Sequence, residues 1–223
     1  MSANNTPNGK DTDGKTSDDN ANDKCTLCGK SNAKPCENCG NANYCGVVCK
    51  NADAALHKLL CHQYKDFQDR PSKHHVRCIV LPVDGSGPVF KWLHQEFATN
   101  PPDETKEILG EGNFGIKGKH LNEDEKIAPG TYPYPRVVQI FYRNDFFKAD
   151  LELNVSAARF PGLHNPWKMF GPFLFLSYSD LLEEDFEVWD NVSNDDCMRK
   201  EDCDTTTLRH VQDLLNLLAS LMP

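Results

Sequence analysis

The 223-residue sequence predicts an α+β fold, with a small metal-stapled module toward the N-terminal end and a mixed strand and helix domain closed by an amphipathic helix. Three observations predict it. Seven of the ten cysteines fall between Cys25 and Cys61. From Val76 onward, short runs rich in β-branched and aromatic residues are separated by glycine- and proline-containing breaks, which is the texture of a meander. Near the C-terminal end, Leu208, Val211, Leu215 and Leu218 recur at helical spacing. A hydrophobic fraction of 39% with 26% charged residues excludes fibrous, collagenous and wholly disordered classes.

In chain order, residues 1–24 carry no branched aliphatic or aromatic side chain. A segment of Asn, Asp, Ser, Thr, Gly and Lys buries too little apolar surface to offset its ordering entropy, so a disordered polar tail is expected. Residues 25–61 form the cysteine module, and residues 62–75 read as a helical linker ending before Pro71, since proline disfavours helical geometry in the residue before it. The α+β domain is expected over residues 76–223. "VRCIVLPV" and "VFKWL", separated by "DGSGP", read as a hairpin. "RVVQIFYR" (Arg136–Arg143) reads as a strand, and "LELNVSA" (Leu151–Ala157) as a half-buried strand with Leu151, Leu153 and Val155 inward. "FGPFLFLSYS" reads as a fully buried strand, and Asp204 as the N-cap of the last helix.

Runs such as Phe173–Tyr178 are far too short to span a bilayer, and no apolar h-region of a signal peptide is found near Met1. A cytoplasmic or nuclear location without a membrane partner is expected. The sequons at Asn4, Asn154 and Asn191 are then expected to be chance matches. In a reducing compartment, clustered thiols point to metal ligands rather than disulfides.

The module's spacing is C-x2-C-x7-C-x2-C-x5-C-x3-C-x7-H-x3-C, from Cys25, Cys28, Cys36, Cys39, Cys45, Cys49, His57 and Cys61. Eight such ligands suffice for two tetrahedral zinc ions, with no open position left for catalytic water. Cys25/Cys28 and Cys36/Cys39 suit tight knuckle turns, while Cys45/Cys49 and His57/Cys61 stand four apart, on one helix face wherever the chain is helical. A segment this short lacks an adequate apolar core, and structural zinc takes its place. Spacing alone leaves sequential and interleaved pairing both open.

The order C-x2-C, C-x2-C, "YC-x3-C", "HK-x2-C" resembles the MYND-type zinc finger. That resemblance implies a cross-brace, with Cys25, Cys28, Cys45 and Cys49 on one zinc and Cys36, Cys39, His57 and Cys61 on the other. It also implies a groove for proline-rich peptides, formed in part by a Gln and a Trp. The matching positions here are Lys50 and Ala54.

The remaining motifs are weaker. "GEGNFG" (Gly110–Gly115) matches a phosphate-loop pattern without its kinase companions or a βαβ setting, so a glycine-rich loop is expected. Cys78 reads as a buried strand residue, and Cys197 and Cys203 lack a second pair. His74, His75, His120, His164 and His210 are each expected to be lone surface histidines, and Trp92, Trp167 and Trp189 to anchor the core or its edges. The formal net charge is −9, and between Leu181 and Asp204 ten acids stand against Arg199 and Lys200, which reads as a solvated loop. Lys65, Arg70, Lys73, His74, His75 and Arg77 form a modest basic patch. It is read as a solvated linker, with phosphate contact as the alternative and no DNA partner expected.

Beyond the finger, "HKLLCHQYKDFQDRP", "VRCIVLPV", "NPWKMFGPFLFL" and "TTLRHVQDLL" resemble segments of small fungal proteins associated with arginine-containing cyclodipeptide synthases. That resemblance implies an enzyme of secondary metabolism that takes arginine from arginyl-tRNA and closes a diketopiperazine with a second amino acid. Glu183 or Glu184 would suit a guanidinium, and no catalytic residue is identified. The alternative is a non-catalytic adaptor with protein partners, which the finger alone supports.

Overall fold

The computed structural model describes residues 24–94, 103–112, 114–120, 136–144, 151–180 and 198–221. The predicted tail up to Asp23, together with Glu183, Glu184, Trp189 and Cys197, lies outside the described residues. In the finger, β1 (Lys34–Pro35) pairs antiparallel with β2 (Asn43–Tyr44). Two helices follow, α1 (Val47–His57) and α2 (Cys61–Asp66), separated by a turn at residues 58–60. The helix expected to reach toward Pro71 ends at Asp66.

β3 (His75–Leu81) and β4 (Val89–His94) form the predicted hairpin, with Cys78 opposite Lys91. α3 (Asp103–Leu109), β5 (Phe114–His120) and β6 (Arg136–Arg143) follow. The chain then passes through two short 3₁₀ turns to β7 (Phe173–Asp180), β8 (Met198–Glu201) and α4 (Leu208–Leu221). The strands form one antiparallel sheet in the order β4-β3-β7-β6-β5, and β8 adds to β7. β7 is central because β6 lies along one edge while β3 and then β8 share the other.

Side chains alternate across a strand, and here both faces are buried. Ile79, Leu81, Val138, Ile140, Phe173 and Phe175 face α4 and the finger helices. Cys78, Val80, Val137, Leu174 and Leu176 form a second cluster with Leu109 of α3. A strand covered on both sides reads as a continuous apolar run, which is why "FLFLSY" showed no alternation. The predicted face of α4 is buried as expected. Asp204, expected as the N-cap, instead caps the turn at residues 205–207 that leads into α4, accepting from the N–H groups of Thr206 (2.8 Å) and Thr207 (3.1 Å), while the Thr207 hydroxyl accepts from the Asp204 N–H (2.9 Å). That reciprocal arrangement satisfies donors that a helix start otherwise leaves unpaired.

The segment expected as a strand over Leu151–Ala157 is instead an irregular crossing with one isolated bridge, Leu153 to Phe170. Its polarity is inverted: Leu153 and Val155 are 42% and 51% exposed, whereas Asn154 and Ser156 are fully buried. The cause is the backbone it covers. Asn154 donates to the carbonyls of Leu81 (3.1 Å) and Gly171 (2.8 Å) and accepts from Ala157 N–H (2.8 Å), and Ser156 accepts from Gly87 N–H (3.1 Å). Buried carbonyls at strand ends need donors, and that need outranks the apolar alternation.

Replacing Asn154 by Ala is expected to cost about 2–4 kcal/mol, because two buried carbonyls lose a donor and Ala157 N–H keeps only its longer bond to the Asn154 carbonyl. Val155→Ala should change stability by less than about 0.5 kcal/mol. Urea denaturation of both variants checks this, and similar losses for the two would contradict the inverted polarity.

Candidate metal centre

Each C-x2-C pair sits on a knuckle closed in the same way. Gly29 N–H donates to Cys25 carbonyl (2.9 Å) and Gly40 N–H to Cys36 carbonyl (2.8 Å). Both glycines adopt positive φ, 67° and 69°, a conformation that costs glycine nothing. The first knuckle is tied to β2 by Thr26 N–H to Asn43 carbonyl (2.8 Å) and Asn43 N–H to the Thr26 hydroxyl (2.9 Å). β2 therefore delivers Cys45 to the first knuckle. The second knuckle receives the end of α1 and the start of α2.

The result is two groups whose ligand atoms lie within 4.8 Å of one another: Cys25, Cys28, Cys45 and Cys49, and Cys36, Cys39, His57 and Cys61. This is the interleaved pairing. In the first, Sγ separations are 3.5 Å (Cys28–Cys45), 3.7 Å (Cys45–Cys49) and 3.8 Å (Cys28–Cys49). A tetrahedron of Zn–S bonds near 2.3 Å has edges of about 3.8 Å. In the second, Cys36–Cys61 is 3.7 Å, and His57 Nε2 lies 3.4 Å from Cys36 and 3.6 Å from Cys39, against about 3.6 Å for a mixed N–S edge. The donor sets fit zinc, and they are consistent with two structural ions. The i,i+4 pairs do not share one helix face, however. Cys45 precedes α1, and the turn at residues 58–60 separates His57 from Cys61.

The thiols are poised unequally. Burial pushes Cys25 up, but the backbone N–H groups of Cys45, Leu27 and Cys28 outweigh it and hold the thiol at about 6. Burial likewise raises Cys39, and the bonds from His57 and from the Ala42 and Asn41 N–H groups bring it to about 6. Cys49 is pushed up to about 12, chiefly by its bond with Cys45, and Cys61 to about 11, chiefly by burial. Against the push of burial, Cys36 is also lowered, by the Cys39 and Asn38 N–H groups and by His57. Cys45, Cys49 and Cys61 are raised, so neither group ionises fully without a divalent cation in its midst.

The surroundings of the second group reach into the sheet domain. Tyr44 meets the His57 ring edge-on (6.0 Å) and donates to Asp53 Oδ2 (2.7 Å), whose Oδ1 pairs with Arg209 of α4 (2.7 Å). Asn41 Oδ1 accepts from the N–H of Thr205 (3.1 Å) and from its hydroxyl (2.5 Å). Asn38 donates to Cys61 Sγ (3.1 Å). The ligand spacing signalled none of these partners; an acid inside α1, on the side that carries Leu56, was the available clue to Asp53.

Other singled-out residues fall elsewhere. Cys78 is buried as expected, and burial pushes its thiol up. Cys203 is buried too, its S–H facing the Phe175 carbonyl (3.6 Å). Arg77 does not belong to the basic patch: it is 5% exposed, donates to the carbonyls of Cys203 (2.7 Å) and Phe67 (2.9 Å), and lies over Tyr64, Phe90 and Trp92. Two acids of the acidic run are structural, Asp202 pairing with Arg70 (2.6 Å) and Asp204 capping the turn that leads into α4. His210 is buried rather than at the surface. His74 and His75 are not isolated, because the β3–β4 register sets His75 opposite His94 and all three rings gather there. The side chains of His120 and Trp167 lie outside the described residues. Within the glycine-rich motif, Gly110–Gly112 follow α3 outside any helix or strand, with Gly110 and Gly112 at positive φ, while Phe114 and Gly115 begin β5.

Fold and site together define a cross-braced, two-zinc finger built onto an antiparallel sheet domain. The family model for the MYND finger matches residues 25–61. Comparison with curated proteins and with solved structures gave no match. Among the described residues, no helix is long and apolar enough to cross a membrane.

Elemental analysis of protein purified without chelator is expected to find two zinc ions per chain, and one or none would contradict the eight-ligand assignment. Zinc binding near neutral pH must displace protons from thiols held as high as Cys49 and Cys61. Affinity should therefore rise with pH and fall as pH drops, by about tenfold per pH unit for each proton displaced. Competition with a chromogenic chelator between pH 6 and 8 measures the slope.

Proposed function

We propose that the finger is a fixed structural part of this protein and that the sheet domain carries its function. The observation that supports this reading is the burial of Leu56 and Leu60 in the sheet's own core cluster. At the positions where the family resemblance implies a peptide groove, Lys50 and Ala54 are exposed and supply no aromatic wall.

For the sheet domain, the reading is arginine-containing cyclodipeptide synthesis from aminoacyl-tRNA. Its support is the resemblance of four stretches that correspond to the finger–domain joint, β3, the approach to β7 with β7 itself, and the start of α4. These are core-building segments, so likeness there would carry a shared scaffold. Phosphate contacts would fall to the exposed Lys65, Arg70, Lys73 and His74, since Arg77 is committed inside. The second reading, an adaptor, draws on one observation: Val47 and Val48, beside the first ligand group, are 68% and 78% exposed.

Cells expressing the protein should accumulate a cyclic arginine dipeptide that takes up isotopic arginine, detected by mass spectrometry. The purified protein should need charged tRNA, and RNase should abolish the product. A zinc-replete, folded protein that gives no such product with abundant arginyl-tRNA would remove the enzyme reading and leave the adaptor.

A further inference from the structure

The two ligand groups differ in ways that matter for reactivity. Cys28 and Cys45 are exposed and Cys49 is half-exposed. In the second group, Cys61 and His57 are buried, and Asn38 shields the Cys61 sulfur. The charges differ as well. A 2+ cation with four thiolates carries −2, whereas three thiolates and a neutral imidazole leave −1. Sulfur nucleophilicity follows thiolate character and access, and both are greater in the first group. Asp53 of α1 pairs with Arg209 of α4, and Asn41, just past the second knuckle, accepts from Thr205 in the turn before α4.

We propose that Cys28 and Cys45 form an oxidation site, at which a peroxide discharges the first zinc while the second remains as a permanent element of the core. Their sulfurs stand 3.5 Å apart, closer than Cys45–Cys49 at 3.7 Å or Cys28–Cys49 at 3.8 Å. One thiolate attacks a peroxide oxygen, the O–O bond breaks, and sulfenic acid forms with loss of hydroxide. The second thiolate displaces hydroxide from that sulfur to form the S–S bond. Each sulfur has lost one electron and each peroxide oxygen has gained one, the two hydroxides take up protons as water, and zinc leaves as the hydrated ion. Cys25, fully buried, is not oxidised.

The inference presupposes two zinc ions, so these are counted first in the full chain. Hydrogen peroxide is then added with a chromogenic chelator present, and modified cysteines are mapped by peptide mass spectrometry. One zinc equivalent should leave at least about tenfold faster than the other, with a Cys28–Cys45 disulfide as the first product and the circular dichroism of the sheet retained. Reductant and zinc should restore the starting state. In Arg209→Ala, the first step should keep its rate and the second should accelerate. Simultaneous loss of both ions, or first modification at Cys36, Cys39 or Cys61, overturns the proposal while leaving the zinc count intact. An unchanged second step in Arg209→Ala overturns the assignment of its protection to docking on α4.

Discussion

Everything in this structure leans on the second ligand group, Cys36, Cys39, His57 and Cys61, because it fixes the joint between two helices that also supply core to the sheet domain. α1 ends on His57 and α2 begins on Cys61. One cation bonded to both would set the angle of the turn between them. That turn carries Leu60, fully buried against the sheet, and Leu56 lies one residue before the His57 ligand. Structural zinc contributes on the order of 10 kcal/mol to a small module, comparable to the whole stability of an ordinary domain. With Leu56 and Leu60 in the sheet's core cluster, that free energy would be shared with the sheet.

A second fastening lies on the same face of the sheet. Arg77 reaches from β3 to the Phe67 carbonyl just beyond α2, while its guanidinium lies 4.6 Å from the Tyr64 ring centroid. A buried guanidinium is tolerated when its N–H groups are bonded and aromatic faces surround it. The Arg209–Asp53 pair is a weaker link, since the arginine side chain is 41% exposed and solvent screens it. Metal, apolar contact and Arg77 together make the finger a wall of the domain.

Much of this was legible in the sequence for physical reasons. Metal ligands must recur at spacings that fit knuckles and helix ends, so the eight residues were plain. Helical and hairpin periodicities marked α4 and the β3–β4 pair, and Asp204 announced its helix. The interleaved pairing was not legible from spacing, because it depends on β2 lying against the first knuckle. Leu151–Ala157 misled, since its alternation matches a strand while Asn154 and Ser156 serve carbonyls from distant segments. Arg77 and His210 misled as well, because polarity alone cannot tell a solvated side chain from a buried, bonded one.

The central claim is that the finger and the sheet domain form one cooperative unit held by the second metal. Hydrogen exchange followed by mass spectrometry, on the full chain before and after removal of both ions by a strong chelator, tests it most directly. The account predicts that residues 208–221 of α4 and 173–180 of β7 lose protection together with residues 47–66 of the finger. Retained protection in α4 and β7 while the finger exchanges freely would contradict it.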